Sequence, residues 1–537
     1  RLHLRPRWRH GSPTVTKDEI SETPPHRSLP RFRLPGQEVG RESDRAPWRL
    51  LAGNEDDPML GFARLGASGA QPAATVVATE APVAPYEAAP RLLDRARPVF
   101  LDSSLAGSGT GRYSYLTADP FLIVRSRGRR VELTGSMGTV VLRADPFDVI
   151  QCLLRHYRIA PVPGLPPFLG GAIGYFGYDL GRLLERQPTL TRDADGLPDL
   201  NLGFYDWVLA ADHLTGKNWH IETVFSPREE NEANARIRDV QERLTRPTGS
   251  LSRWSPPRQR LRSNLRRGDY LDAVRRVQDY IAAGDVYQVN LSHRLEGRWR
   301  GPTWPLYERL RAASPVPYGA YLALGDVTIL SASPERFLQV DPEGMQVETR
   351  PIKGTRPRGA TAGEDRALAA DLLRSEKDRA ENVMIVDLLR NDIGKVCQVG
   401  SVRVPELLSL EPYATVWQLV SAITGTLRPE LDAVDLLRAC FPGGSVTGCP
   451  KIRAMEIIEE LEPVRRGIYC GAIGCLSFTG AMDTSIVIRT LVHVGGQLHL
   501  QVGGAIVAES DPSAEYAETI AKARAGLDAL GAEVEDW

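Results

Sequence analysis

The chain has 537 residues, 42% of them hydrophobic and 25% charged, and carries a formal charge of −1 at pH 7. That length exceeds what one ordinary core needs, and the composition is that of a soluble globular protein. A near-neutral chain offers no field to draw nucleic acid or anionic membrane, and no run of about 18 apolar residues exists to span a bilayer, so a small polar substrate handled in the cytoplasm is expected.

In residues 1–50 basic side chains outnumber acidic ones, prolines are scattered and apolar periodicity is missing. Asp18, Glu19 and Glu22 argue against a transit peptide, so residues 1–78 read as a disordered extension. Regular structure is expected from near Pro85, within a first region spanning 79–245. Val99–Ser104, Gly111–Leu116, Phe121–Val124 and Val131–Leu133 read as short strands between Gly and Ser turns. Gly170–Tyr178 reads as a closely packed strand and turn, residues 228–245 as a charged helix, and 246–265 as a linker.

From Tyr270 long amphipathic helices alternate with β-rich runs. Ala380–Ile393 has helical spacing, with Gly394 as its expected cap. Ser485–Leu491 and Leu498–Val507 read as strands, and Asp511-Pro512 as a helix start. Antiparallel-style strands with segregated helices predict an α+β fold. Six cysteines without a Cys-x-x-Cys pair read as reduced core thiols.

Two carboxylate pairs stand at helical spacing. Asp378 and Glu381 share one face, as do Glu515 and Glu518, with Lys522 continuing the second stripe. Alone, each pair is an ordinary solvated face. Together, four oxygen donors without cysteine or histidine suit a hard cation such as Mg²⁺. Thr447, Gly448 and Lys451 lie in a turn entering a helix at Ile452–Leu461, where backbone donors attract anions.

The segments Ser333-Pro334-Glu335-Arg336-Phe337, Glu348-Thr349-Arg350-Pro351-Ile352-Lys353-Gly354-Thr355 and the glycine-rich Pro442–Lys451, joined to these acids, resemble the chorismate-utilising enzymes. That family holds the large subunits of anthranilate and aminodeoxychorismate synthases and the isochorismate and salicylate synthases. The likeness runs from about Tyr86 to Gly526 and is dense over 266–526, which reads as the catalytic domain, leaving 527–537 as a tail. It implies a β-sandwich core wrapped by helices, with the site between the layers. Within the family the Pro-Ile-Lys-Gly-Thr form resembles the aminodeoxychorismate branch, whereas anthranilate-forming members usually carry alanine in place of Lys353.

The resemblance implies roles residue by residue. Lys353 is the nucleophile and Glu335 the general acid. Glu381 and Glu518 bind Mg²⁺, with Asp378 and Glu515 in support. Gln288, Thr447, Tyr469, Arg489, Gly503, Gly504 and Lys522 bind substrate. Water-adding relatives carry lysine where this chain has Gln288, which cannot act as a base. Many relatives carry histidine where this chain has Gln418. Ammonia is expected from a glutamine amidotransferase partner, since every cysteine falls in a segment already assigned. A tryptophan pocket near Leu101-Asp102-Ser103-Ser104 occurs in the family and is left open here. The rival readings are amination at C2 with loss of pyruvate, as in the anthranilate branch, and a non-catalytic tryptophan-binding or scaffold relative.

Overall fold

Alternation along single strands decides how the layers stack. In Tyr318–Ala323, Ala320 and Leu322 join one apolar cluster while Tyr321 and Ala323 pack into another. Successive strand residues point to opposite faces, so this strand is covered on both sides. The computed structural model describes residues 49–52, 74–105, 110–136, 138–226, 230–246, 254–341, 345–413 and 416–535. Among them run two 13-stranded sheets. Sheet I begins at Arg49–Ala52 and ends at Ile352–Pro357, while sheet II begins at Thr75–Glu80 and ends at Ala532–Val534.

The sheets share the larger apolar cluster. Sheet I contributes Val124, Leu133, Phe204 and Ile473, and sheet II contributes Val208, Ala210, Leu322 and Ile329. The other face of sheet II, with Phe100, Trp207 and Leu330, is covered by helices Thr303–Ala313 and Pro512–Leu530 through Trp304, Tyr307, Leu527 and Leu530. A sandwich wrapped by helices is the expected α+β fold. Among the described residues no helix is long and apolar enough to cross a membrane.

The two halves of the chain are interleaved instead of lying in series. Gly171–Phe176 pairs with Ala472–Ser477 in sheet I, and Val99–Asp102 pairs with Tyr318–Ala323 in sheet II. Several expectations need correction. Within 1–78, Arg49–Ala52 pairs with Gly138–Arg143, and Thr75–Glu80 pairs with Lys217–Val224; the rest of that extension lies outside the described residues. The supposed linker contains Gln259–Ser263, which pairs with Gln288–Arg298. The supposed tail holds the end of the Pro512–Leu530 helix and the strand Ala532–Val534, paired in parallel with Gln259–Ser263. The Arg- and Pro-rich composition around Gln259–Ser263 hid that strand, whose exposed residues are Arg260 and Arg262. Gly394 is the last helical residue of Glu376–Gly394, and Lys395 follows at the cap in right-handed conformation.

The helix bearing the second carboxylate pair starts as read: the Asp511 side chain accepts from the Ala514 N–H at 2.8 Å, and Pro512 occupies the first turn. Its end is set by Gly531, in left-handed conformation at φ +58°. Asp511→Ala removes one capping acceptor and is expected to cost about 1 kcal/mol, read from urea unfolding. A loss below about 0.3 kcal/mol would show that the first turn is held by other contacts.

Candidate active site

The chain crosses between the sheets at two adjacent points. Val327–Ser333 lies in sheet II and Arg336–Asp341 in sheet I, so Pro334-Glu335 forms the first crossing. Met482–Ile486 lies in sheet I and Thr490–Val494 in sheet II, so Val487–Arg489 forms the second. The apolar run expected to be one strand, Ser485–Leu491, is therefore two. The crossings are bonded to each other. Ile486 N–H donates to the Glu335 carbonyl at 3.1 Å, and Ala332 N–H to the Arg489 carbonyl at 3.2 Å. The Ser333 hydroxyl donates to the Ile486 carbonyl at 2.6 Å. This seam sets Glu335 and Arg489 side by side.

Arg489 has φ +52°, a conformation that costs a non-glycine residue roughly 1–2 kcal/mol. Its guanidinium makes no ion pair among the described residues, and burial pulls its pKa down, only partly offset by Tyr413 and Glu335. A strained, unpaired arginine at a seam is poised for an anion with two oxygens.

Lys353 lies in the Ile352–Pro357 edge strand, at an irregularity between the pairs Ile352↔Val420 and Thr355↔Gln418. Gly354 allows it: at φ +89°, an added Cβ would stand 2.9 Å from the Asp378 Cβ and from Leu372. The Lys353 ammonium donates to the Ser445 carbonyl at 2.9 Å. Burial pushes its pKa below the ordinary lysine value, opposed by Glu381 and Glu335 and assisted by Lys522. Glu335 is buried, and burial raises its pKa, opposed first by a hydrogen bond from Ser445 and then by Lys353. Both shifts favour the neutral forms, an amine beside a carboxylic acid. Arg336 does not pair with Glu335; it pairs with Glu348 and Asp483.

The carboxylates face a group of lysines. Lys377 Nζ stands 3.2 Å from Glu515 and 3.9 Å from Glu381, bridging the two helices. Lys522 Nζ lies 2.8 Å from Glu518 and donates to the Gly503 carbonyl at 3.0 Å. Burial raises the Glu381 pKa, against Lys353 and Lys377 and with help from Asp378 and Glu515. Glu518 is more exposed, and Lys522 with Lys377 and Lys353 outweighs burial and takes its pKa down. Gly504 belongs to this group, since an added Cβ would stand 3.1 Å from Glu515 Oε2. Oxygen-only donors that draw an ammonium between two helices fit a hard cation in chemistry. Among the described residues, however, no three acids already stand at metal-holding distances.

Other expected residues take different places. Asp378 turns to Arg356 at 3.1 Å, and Lys451 is bonded to Asp392 and the Cys440 carbonyl, away from the amine. The Thr447 hydroxyl closes its own turn on the Gly443 and Gly444 carbonyls. Tyr469 is buried, with its hydroxyl 3.0 Å from where a Cβ on Gly503 would sit. Gln288 and Gln418 are fully buried, and both polar atoms of each amide lack a protein partner. Unsatisfied buried amides cost about 1–3 kcal/mol each, which makes both side chains candidates to hydrogen-bond a bound molecule. Sequence reasoning missed Lys377 and Ser445. Lys377 was readable as a helical neighbour of Glu381, but Ser445 meets Lys353 through its carbonyl and Glu335 through its side chain, partners remote in sequence that leave no local signal.

Residues 105–528 match the family model described as chorismate binding enzyme. Aminodeoxychorismate synthase component 1 of Salmonella typhimurium is 48% identical over 416 residues, covering 76% of this chain and 88% of that protein. Anthranilate synthase component 1 of Thermus thermophilus is 46% identical over 428 residues, covering 80% and 88%. The crystal structure of anthranilate synthase component I from Streptococcus pneumoniae superposes with a TM-score of 0.70 at 35% identity, covering 77% of this chain and 92% of that one. Overall identity thus barely separates the two activities, and the residues around Lys353 have to do so.

A mechanism that uses Lys353 as a neutral amine and Glu335 as a protonated acid gives a bell-shaped dependence of rate on pH. Burial takes the amine below the ordinary lysine value and the carboxyl above the ordinary glutamate value, so both shifts raise the population of the neutral pair between the two limbs. The apparent values belong to the coupled pair. Glu335→Gln is expected to abolish the basic limb and lower kcat about a hundredfold. Persistence of that limb in the variant would assign it to another group.

Proposed function

Because the chain belongs to the chorismate binding enzyme family, we propose that it is a transferase that joins chorismate to ammonia, giving 4-amino-4-deoxychorismate and water on the route to para-aminobenzoate and folate. The observation that carries this reading is Lys353: an amine biased toward its nucleophilic form, held by Ser445 and adjacent to an acid biased toward its protonated form.

The chemistry balances through these two groups. The Lys353 amine adds to C2 of the ring, the double bonds shift, and the C4 hydroxyl leaves as water with the proton of Glu335. Ammonia then adds at C4, the double bonds shift back, and the C2–Nζ bond breaks to restore the amine. Glu335 recovers its proton from the incoming nitrogen. Arg489 takes one substrate carboxylate through its paired donors, while Gln288 and Tyr469 meet ring substituents. Mg²⁺, held by Glu381 and Glu518 with Glu515 and the more distant Asp378 in support, supplies positive charge for the other carboxylate. Ammonia comes from a glutamine amidotransferase subunit. The Thermus relative keeps amination at C2 as the second reading.

Purified chain, chorismate, Mg²⁺ and ammonium, with the product identified by mass and fluorescence, test the proposal. An amine at C4 with retained enolpyruvate is expected; fluorescent anthranilate would move the chain to the other branch. Lys353→Ala is expected to lose at least about a hundredfold in rate, and full activity in that variant would remove the covalent step.

Glu381→Gln and Glu518→Gln each take one anionic oxygen from a cation with few protein ligands. Each is expected to raise the Mg²⁺ concentration needed for half-maximal rate by at least about tenfold. Magnesium titrations that superpose on the parent would place the metal elsewhere.

A further inference from the structure

Beneath the Gly444–Thr447 turn lies an ion pair that the chemistry above does not use. Arg466 and Glu462 are buried, with side chains 1% and 2% exposed. The guanidinium donates to Glu462 through Nε at 2.9 Å and Nη2 at 2.6 Å. Its remaining donors leave the pair: Nη1 reaches the Val446 carbonyl at 2.8 Å, and Nη2 the Asn290 carbonyl. Glu462 Oε1 also accepts from Ser292 N–H at 2.9 Å and its hydroxyl at 2.8 Å. The guanidinium lies over the Tyr178 ring at 4.9 Å and near the Tyr469 ring at 5.8 Å.

These contacts converge on one short segment. Val446 follows Ser445, whose carbonyl accepts from Lys353 and whose side chain bonds to Glu335. The next carbonyl, of Thr447, accepts from Asn290 N–H at 2.8 Å. Arg466 therefore ties the turn to the Gln288–Arg298 strand directly behind the amine. Fold stability alone does not call for such a pair, because apolar residues of similar volume often replace a buried ion pair without loss. A planar fork with donors in several directions is needed only if the carbonyls must be held in one arrangement.

We infer that Arg466 is a positioning residue: by fixing the Val446 and Asn290 carbonyls it holds Ser445 where Lys353 and Glu335 are aimed together. Glu462 orients the guanidinium for that task. The inference rests on the proposed amination through Lys353.

Arg466→Lys keeps the charge and loses the fork, and small misplacements of reacting groups cost rate more than binding. The expected result is a fall in kcat of at least about tenfold with chorismate KM within about threefold of the parent. In a Lys353→Ala background the same change is expected to cost less than about threefold, because the joint aim of Lys353 and Glu335 that it holds is already lost. Kcat within about twofold of the parent, or a rise in KM without loss of kcat, would overturn the inference. Equal losses in both backgrounds would also overturn it, showing a general structural role. Should Arg466→Lys not fold, Glu462→Gln, which keeps the shape and drops the charge, is read by the same criteria. A parent enzyme that does not aminate chorismate sinks the proposed function itself, whereas an active parent with an unaffected Arg466→Lys sinks only the positioning role.

Discussion

The site depends on a backbone constraint more than on any side chain. Two neighbouring crossings between stacked sheets, bonded through the Glu335, Ile486 and Arg489 carbonyls, create a place where interior residues are not committed to either pleated face. A strand residue in this sandwich points into an apolar layer. A crossing residue points along the gap between layers, which is how a carboxyl and a guanidinium come to sit inside a core. The left-handed backbone at Arg489 is a local cost of the crossing, and the surrounding ladders hold it in place.

Around that seam the charges are arranged as a near balance. Lys353, Lys377 and Lys522 face Glu335, Glu381, Glu515 and Glu518, and the pKa shifts show burial competing with these partners. In water such a group would be fully ionised. Here desolvation favours neutral forms most strongly for the innermost amine and acid, and least for the exposed Glu518. The depth gradient separates groups suited to proton transfer from groups suited to holding a cation.

Much of this is legible in the chain. Helix starts with a chemical cause, such as Asp511-Pro512, can be read because the cap is local. The spacing of Glu515, Glu518 and Lys522 is enough by itself to put them on one stripe. What is not legible depends on partners remote in sequence. Ser485–Leu491 reads as one strand because both sheets bury it, and an apolar run carries no mark of where the chain changes layer. Gln259–Ser263 lies one place in from the sheet II edge formed by Ala532–Val534, and both are short runs carrying charged residues that mimic a linker and a tail. Asp378 looks equivalent to Glu381 in sequence, but its partner, Arg356, is supplied by a neighbouring strand.

The interleaving of the halves bears on how the chain reaches this state. Gly171–Phe176 finds its sheet I partner in Ala472–Ser477, close to 300 residues later. At a synthesis rate of roughly 5–20 residues per second, that strand waits about 15–60 s with an unpaired edge. Its six residues are wholly buried in the finished protein, so during the wait they form an apolar edge open to other nascent chains. Early folding of the amino-terminal half thus leaves this apolar edge uncovered until the pairing that seals the sandwich can form.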